Sequence, residues 1–183
     1  MFYSTMSSMA RDSGRLFLAL LPDMATAAKI FRLAGILKRA HNFSGELIAA
    51  DRLHVSLFFL GALRAGEGCA VCRKHGAALP IPPFEISFDR TATFGRQPGN
   101  RPFVLFGGEG LSQLRWFREK LGIELGLKGA ANRQFEPHVT LLYDRHRVEE
   151  HPLGEPVSWI VNDVVLVHSL NGHEHVAKWR LRG

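Results

Sequence analysis

Two short stretches constrain this chain more than anything else in it: Leu53-His54-Val55-Ser56-Leu57-Phe58-Phe59-Leu60 and Pro137-His138-Val139-Thr140-Leu141-Leu142-Tyr143. Each is rich in β-branched, aromatic and aliphatic residues, has glycine or proline close by, and reads as a β-strand. Alternate residues on a strand share a face. His54 and Ser56 therefore point one way, as do His138 and Thr140, while Val55, Leu57, Val139 and Leu141 point into a core. In a chain with nine histidines, a His-apolar-Ser/Thr-apolar run is expected about 0.2 times from composition, and two copies at odds on the order of one in a hundred. An imidazole beside a hydroxyl, presented twice from rigid elements, suits chemistry at a phosphoester. One ring takes a proton, the other gives one, and the hydroxyls donate to non-bridging oxygens.

Around these strands the pattern alternates between strand and helix. Arg15–Leu21 is a short apolar strand closed by Pro22. Asp23 is an N-cap candidate, and Ile30, Leu33, Ala34 and Leu37 keep helical spacing to about residue 40. A weaker helical pattern covers 66–79 and stops at Pro80, Pro82 and Pro83. Phe84 opens a strand to about Phe94, a turn-rich loop follows over 95–102, and Phe103–Phe106 returns as a strand. Leu111, Leu114, Phe117, Leu121 and Leu125 mark a third helix. After the second motif come a charged loop at Arg145–Pro152, a strand at Ser158–Ser169, and another at His175–Leu181 across Asn171-Gly172, the best hairpin signal present. Each motif strand follows a helix. The order implies an α+β domain of two similar lobes, each sheet offering one motif strand to a central cleft, with helices outside.

At 183 residues and 46% hydrophobic the chain can bury a real core, and residues 15–183 are expected to form one bilobal domain. Residues 1–14 are small and polar, lack the apolar centre of a signal peptide, and read as a loose arm. A net charge of +6 favours anionic partners, with RNA or a nucleotide the natural candidate. No apolar run reaches membrane-spanning length, and two cysteines, Cys69 and Cys72, are too few for a secreted disulfide framework. A cytoplasmic protein without an obligate protein partner is the expectation.

The other candidate groups carry less. Cys69 and Cys72 with His75 lack a fourth zinc ligand, so plain thiols are expected and no metal is implied. His173 and His175 flank Glu174 beside a turn and read as solvated. Arg96 and Arg101 sit in a loop able to track an RNA backbone, though surface-loop arginines usually stay solvated. Arg115, Arg118 and Lys120 read as the wet face of the third helix. There is no GxxxxGK[ST] phosphate loop, so ATP-driven ligation is unsupported.

The paired motif resembles the two-histidine phosphoesterase superfamily, and specifically the LigT/ThpR-type RNA 2′,3′-cyclic phosphodiesterases, also labelled 2′-5′ RNA ligases. The likeness covers residues 15–181: Arg15-Leu16-Phe17-Leu18-Ala19-Leu20-Leu21-Pro22 looks like the family's opening strand, and 51–61 and 135–141 look like its two motif segments. Gly172 and Trp179-Arg180-Leu181 look like its closing hairpin. The resemblance implies a pseudo-twofold arrangement of two mainly antiparallel sheets and cofactor-free opening of a 2′,3′-cyclic phosphate. His138 would be the general base and His54 the general acid to the leaving 3′ oxygen, with Ser56 and Thr140 binding phosphate. Ser56 replaces the usual threonine and keeps the hydroxyl. Tyr143 stands where many members have arginine, so a basic phosphate contact is missing or supplied by Arg145. Phe58 shares the face of His54 and Ser56, and Phe17 lies on the neighbouring opening strand; either could stack on a base, although phenylalanine is more often core. Two other readings compete: a nucleotide- or RNA-binding module without turnover, and action on 2′-5′ linkages, where ligation would be the reverse of the phosphodiesterase reaction.

Overall fold

A computed structural model describes residues 14–61, 78–95, 97–127, 135–169 and 172–183. The opening strand, β1 (Arg15–Leu20), is buried on both faces beyond Arg15. The Asp23 carboxylate then caps helix α1 (Met24–Ala40), accepting from the Thr26 N–H at 2.9 Å and the Thr26 hydroxyl at 2.7 Å. Ala27, Ile30 and Ala34 are buried along one stripe, as the spacing predicts. The helix ends in a Schellman motif. Asn42 takes the left-handed φ of 53°, its N–H bonds to Arg39 O, and the Phe43 N–H reaches Lys38 O at 3.0 Å. Asparagine is one of the few residues that visit this conformation cheaply.

The remaining strands are β2 (Val55–Gly61), β3 (Ala78–Leu79), β4 (Phe84–Thr93), β5 (Arg101–Phe106), β6 (His138–Asp144), β7 (His151–Val161), β8 (Asp163–Ser169) and β9 (His173–Leu181). A second helix, α2 (Ser112–Glu124), follows a 3₁₀ turn at Glu109–Leu111 and buries Leu114, Phe117 and Leu121. The strands form one nine-stranded sheet in the order β3-β9-β8-β1-β2-β6-β5-β4-β7. All its pairings are antiparallel except that of β3 with β9. The expectation of two separate sheets is corrected here. The halves β3-β9-β8-β1-β2 and β6-β5-β4-β7 are continuous, joined through a single residue pair, Val55 with Val139.

Three further expectations change. Ala78-Leu79 is strand rather than helix; the rest of the 66–79 pattern, with Cys69, Cys72 and His75, lies outside the described residues, as do residues 1–13, Arg96 and Asn171. Gly14, assigned to the arm, is buried against His168, where a side chain would clash. The stretch 151–169 is two strands, not a loop and one strand. The charged run ending at Pro152 suggested a loop, but β7 is the edge of the sheet, where proline is tolerated in a strand. Its second half alternates as a half-buried strand should: Val157, Trp159 and Val161 in, Ser158 and Ile160 out. Beyond Asn162 the chain re-enters the other half as the buried β8.

Two long-range ties hold the halves together besides the valine pair. Helix α1 packs on β6 and β7, and residues 44–48 run beside the free end of β6. The Ile48 N–H donates to Leu141 O at 2.8 Å, and the Asp144 carboxylate accepts from the N–H groups of Ser44 and Gly45 (both 2.7 Å), the Ser44 hydroxyl (3.0 Å) and the His146 N–H (2.8 Å). These bonds, the His146 N–H foremost, pull the Asp144 carboxyl down from 3.8 to about 2. Because its folded pKa is depressed, Asp144 contributes stability that is present above 3.8 and is lost as the pH falls through about 2. Asp144→Ala should therefore lower unfolding free energy by about 2–3 kcal/mol in urea at neutral pH, and the gap to wild type should close at acid pH.

Candidate active site

Both motif histidines are held by the same local bond. His54 Nδ1 lies 2.7 Å from Arg52 O, and His138 Nδ1 lies 2.8 Å from Glu136 O, in each case the carbonyl two residues back. A carbonyl only accepts, so Nδ1 carries a hydrogen in both rings and each Nε2 is left for chemistry. His54 Nε2 is hydrogen bonded to the Ser56 hydroxyl at 3.1 Å. Val55 and Val139, each fully buried between its histidine and hydroxyl, are the pair that joins the sheet halves. The antiparallel register about that pair sets His54 across from Thr140 and Ser56 across from His138. The two histidines are then diagonal neighbours, about 7–8 Å apart at this kind of position. All four side chains line one cleft of about 670 Å³.

Of the other residues proposed from sequence, Phe17 and Tyr143 also line the cleft, whereas Phe58 and Arg145 do not. Simple alternation from His54 predicts Phe58 on the reactive face. A β-bulge at Leu57 breaks the alternation: Leu18 pairs with Phe58, but Ala19 pairs with Ser56. Phe58 is thereby turned into the core at 3% exposure, and Phe59 emerges at 64% to line the cleft. The second motif repeats the device. A bulge at Leu141, where Phe103 pairs with Leu142 and Val104 with Thr140, buries Leu142 and turns Tyr143 outward. Arg145 lies past the end of β6, where its carbonyl accepts from the Arg101 guanidinium at 2.7 Å.

The carbonyl at each bulge is satisfied from elsewhere. Leu141 O takes the Ile48 N–H, and Leu57 O takes Arg118 Nε at 3.0 Å. Arg118 is thus no part of a wet helix face. It is buried between the rings of Phe58 and Phe135, at 4.5 and 4.3 Å, and burial pushes its pKa down. One turn earlier, Arg115 reaches Glu136 Oε1 at 2.8 Å and Gly108 O at 3.0 Å. Glu136 is the residue whose carbonyl holds His138, so α2 braces both motif strands. Lys120 does lie outside, 5.8 Å from the Trp116 ring.

A third imidazole stands in the cleft. His173, expected to be a solvated turn residue, packs its ring 5.1 Å from His54 and 5.6 Å from Phe17. Burial, then the charges of His54 and Arg52, pull its pKa from 6.5 to about 4. His54 is lowered too, by burial first and by the charge of His138, against the opposing effect of its carbonyl bond. Each motif histidine also has a phenylalanine wall, Phe17 at 5.0 Å from His54 and Phe94 at 5.3 Å from His138. Nothing in the local sequence marks His173. The chain's topology alone carries the start of β9 to this place. Among the described residues no group of three or more His, Cys, Asp or Glu side chains is arranged to hold a metal ion.

Two histidines set diagonally on adjoining strands, each with a hydroxyl two residues on and both opening on one cleft, define a two-histidine phosphoesterase. The chain belongs to the 2′-5′ RNA ligase superfamily, whose family model matches residues 22–173. E. coli LigT in its apo form aligns at 31% identity and a TM-score of 0.65, over 93% of this chain and 98% of LigT. The NADP+ complex of LigT aligns at 26% identity and a TM-score of 0.69, over 94% and 99%. TT0787 of Thermus thermophilus shares the fold at 24% identity and a TM-score of 0.65, over 92% and 98%. No curated protein matches the chain.

Two measurements check this geometry. Phe58→Ala should cost about 3–5 kcal/mol of stability, while Phe59→Ala should stay within about 0.5 kcal/mol of wild type; a reversed order would remove the bulge at Leu57. An NMR titration should place His173 at about 4 and His54 below 6.5, with inorganic phosphate raising the His54 midpoint because an anion favours imidazolium. Both rings are easier to protonate in the unfolded chain, so their contribution to folding stability should fall as the pH drops below 6.5, that of His173 through about 4.

Proposed function

We propose that the protein hydrolyses 2′,3′-cyclic phosphates of RNA ends or nucleotides to 2′-phosphates by general acid–base catalysis, without metal or cofactor. The observation that carries this reading is the matched pair of Nδ1–carbonyl bonds, which turns both Nε2 atoms to one cleft, each ring two residues from a hydroxyl and that of His54 bonded to it. A cyclic diester needs a proton removed from water on one side of phosphorus and delivered to the leaving ribose oxygen on the other. His138 Nε2 takes the water proton as the new P–O bond forms. The P–O3′ bond breaks and His54 Nε2–H protonates O3′, while Ser56 and Thr140 donate to the non-bridging oxygens. Burial disfavours the His54 imidazolium in the empty cleft, and a bound phosphate anion favours the imidazolium that the acid role requires. Phe17, Phe59 and Tyr143 supply apolar and aromatic surface for a nucleoside.

Crystal structures of E. coli LigT hold 3′-AMP, ATP, NADP+ and phosphate, which supports a nucleotide as occupant here. The same two imidazoles would serve the reverse reaction on 2′-5′ linkages, since each proton transfer is reversible.

The test is a 2′,3′-cyclic mononucleotide incubated with the protein and a chelator. The 2′-phosphate should accumulate, and His54→Ala and His138→Ala should each slow turnover by about 10²- to 10⁴-fold with unchanged circular dichroism. Near wild-type turnover in either variant overturns the mechanism. Tight binding without product would make the protein a binding module instead.

A further inference from the structure

We propose that Arg15, Ser169 and His173 form a second phosphate subsite at the His54 end of the cleft, for a phosphate one nucleoside away from the reacting one. This rests on the cyclic-phosphate reading above and adds a substrate requirement to it. The three residues occupy one row across three adjacent strands: Arg15 pairs with Ser169, and Ser169 with His173, at the usual strand spacing of about 4.8 Å. All three line the cleft. At Arg15 and Ser169 the row is displaced from the reacting groups, while the His173 ring leans back from it to 5.1 Å from His54 and bridges the interval. Ser56 pairs with Ala19, four residues further along β1 than Arg15, or about 13 Å at strand rise. That is too far to share the phosphate held at Ser56, and is the scale of a nucleotide.

Between the two levels the cleft is apolar. Phe17 lies two residues from both Arg15 and Ala19, and its cross-strand partner Phe59 is exposed beside it. The cleft is therefore polar at each end and aromatic in the middle, which matches phosphate, nucleoside, phosphate. The donors suit a tetrahedral oxyanion: a guanidinium, a hydroxyl and an imidazole N–H. Arg15 makes no hydrogen bond or ion pair among the described residues. Among the described residues no Asp or Glu lines the cleft, and the nearby Glu174 carboxylate leans to His168, at 3.9 Å. An isolated surface arginine is ordinarily just solvated. Here the cation instead converges with two neutral donors on a cavity that carries no compensating acid. The His138 end offers Ile48 and Tyr143 and no cation, so the second phosphate has one direction in which to lie.

The occupant is a second phosphate, either the 5′-phosphate of a cyclic mononucleotide or the internucleotide phosphate of an RNA end. Three substrates separate these: adenosine 2′,3′-cyclic phosphate, the same compound with a 5′-phosphate, and a dinucleotide ending in the same cyclic phosphate. A phosphate-bearing substrate should exceed the plain cyclic nucleotide in kcat/KM by roughly tenfold, and Arg15→Gln should bring that ratio to about one while Arg15→Lys keeps part of it. Preference for both phosphate-bearing substrates supports a general subsite, and preference for the dinucleotide alone assigns it to RNA ends. Hydrolysis without preference, or a preference untouched in Arg15→Gln, overturns the subsite and leaves the proposed function standing. If nothing is hydrolysed the function fails, and calorimetry decides the subsite separately. Adenosine 2′,5′-bisphosphate should bind roughly tenfold tighter than adenosine 2′-phosphate, with the difference lost in Arg15→Gln; equal binding in wild type overturns it.

Discussion

The contact between Val55 and Val139 is the constraint on which the site rests. It is the one residue pair by which β2 and β6 meet, and each valine is flanked by the groups proposed for chemistry. Burying both valines pins the height and rotation of the strands, and a strand so pinned has no freedom over where its neighbours at ±1 point. The geometry of the histidine pair is thus set by hydrophobic burial one residue away, not by contacts between the imidazoles. The narrowness of the joint matters as well. Because the halves share so little ladder, the strands diverge on either side and leave room for a cleft. The work of holding the halves in place passes to α1, to α2 and to Asp144.

The strands that carry the motifs, the capped first helix and the stripe of the third were legible because each is a local matter of periodicity and end chemistry. Val55 and Val139 turned inward as alternation requires. What alternation could not supply is the place where it fails. Both motif strands bulge one residue after the hydroxyl, so the aromatic that reaches the cleft is Phe59 and not Phe58. A bulge leaves no composition signature when its sequence is an unbroken apolar run. Arg118 was misread for a related reason. It lies on the buried stripe beside Leu114 and Leu121, and its partner is a carbonyl released 61 positions away. His173 and the edge strand β7 depend in the same way on where the topology returns the chain. The family resemblance supplied Tyr143, which the period-two rule would have placed inside.

Electrostatically the empty cleft carries fixed positive charge at its arginines and is built to receive negative charge. Two of its three imidazoles are held below their usual pKa by burial and by one another, and its permanent charges are the guanidinium groups of Arg15 and Arg52. Like-charge repulsion among closely packed rings is tolerable only if few are protonated at once. An entering phosphate would relieve that condition, so ligand charge and imidazole protonation are coupled without a moving part.

The bonds that orient His54 and His138 end on main-chain oxygens, and the side chains at those two positions are of opposite sign, Arg52 and Glu136. The hydrogen on Nδ1 is therefore specified by the path of the polypeptide and is indifferent to which amino acid occupies the anchoring position. Amino-acid replacement there leaves the tautomer intact while remaining free to retune the charge around it, so the surroundings of the two rings can diverge over generations with both Nε2 atoms still facing the same way.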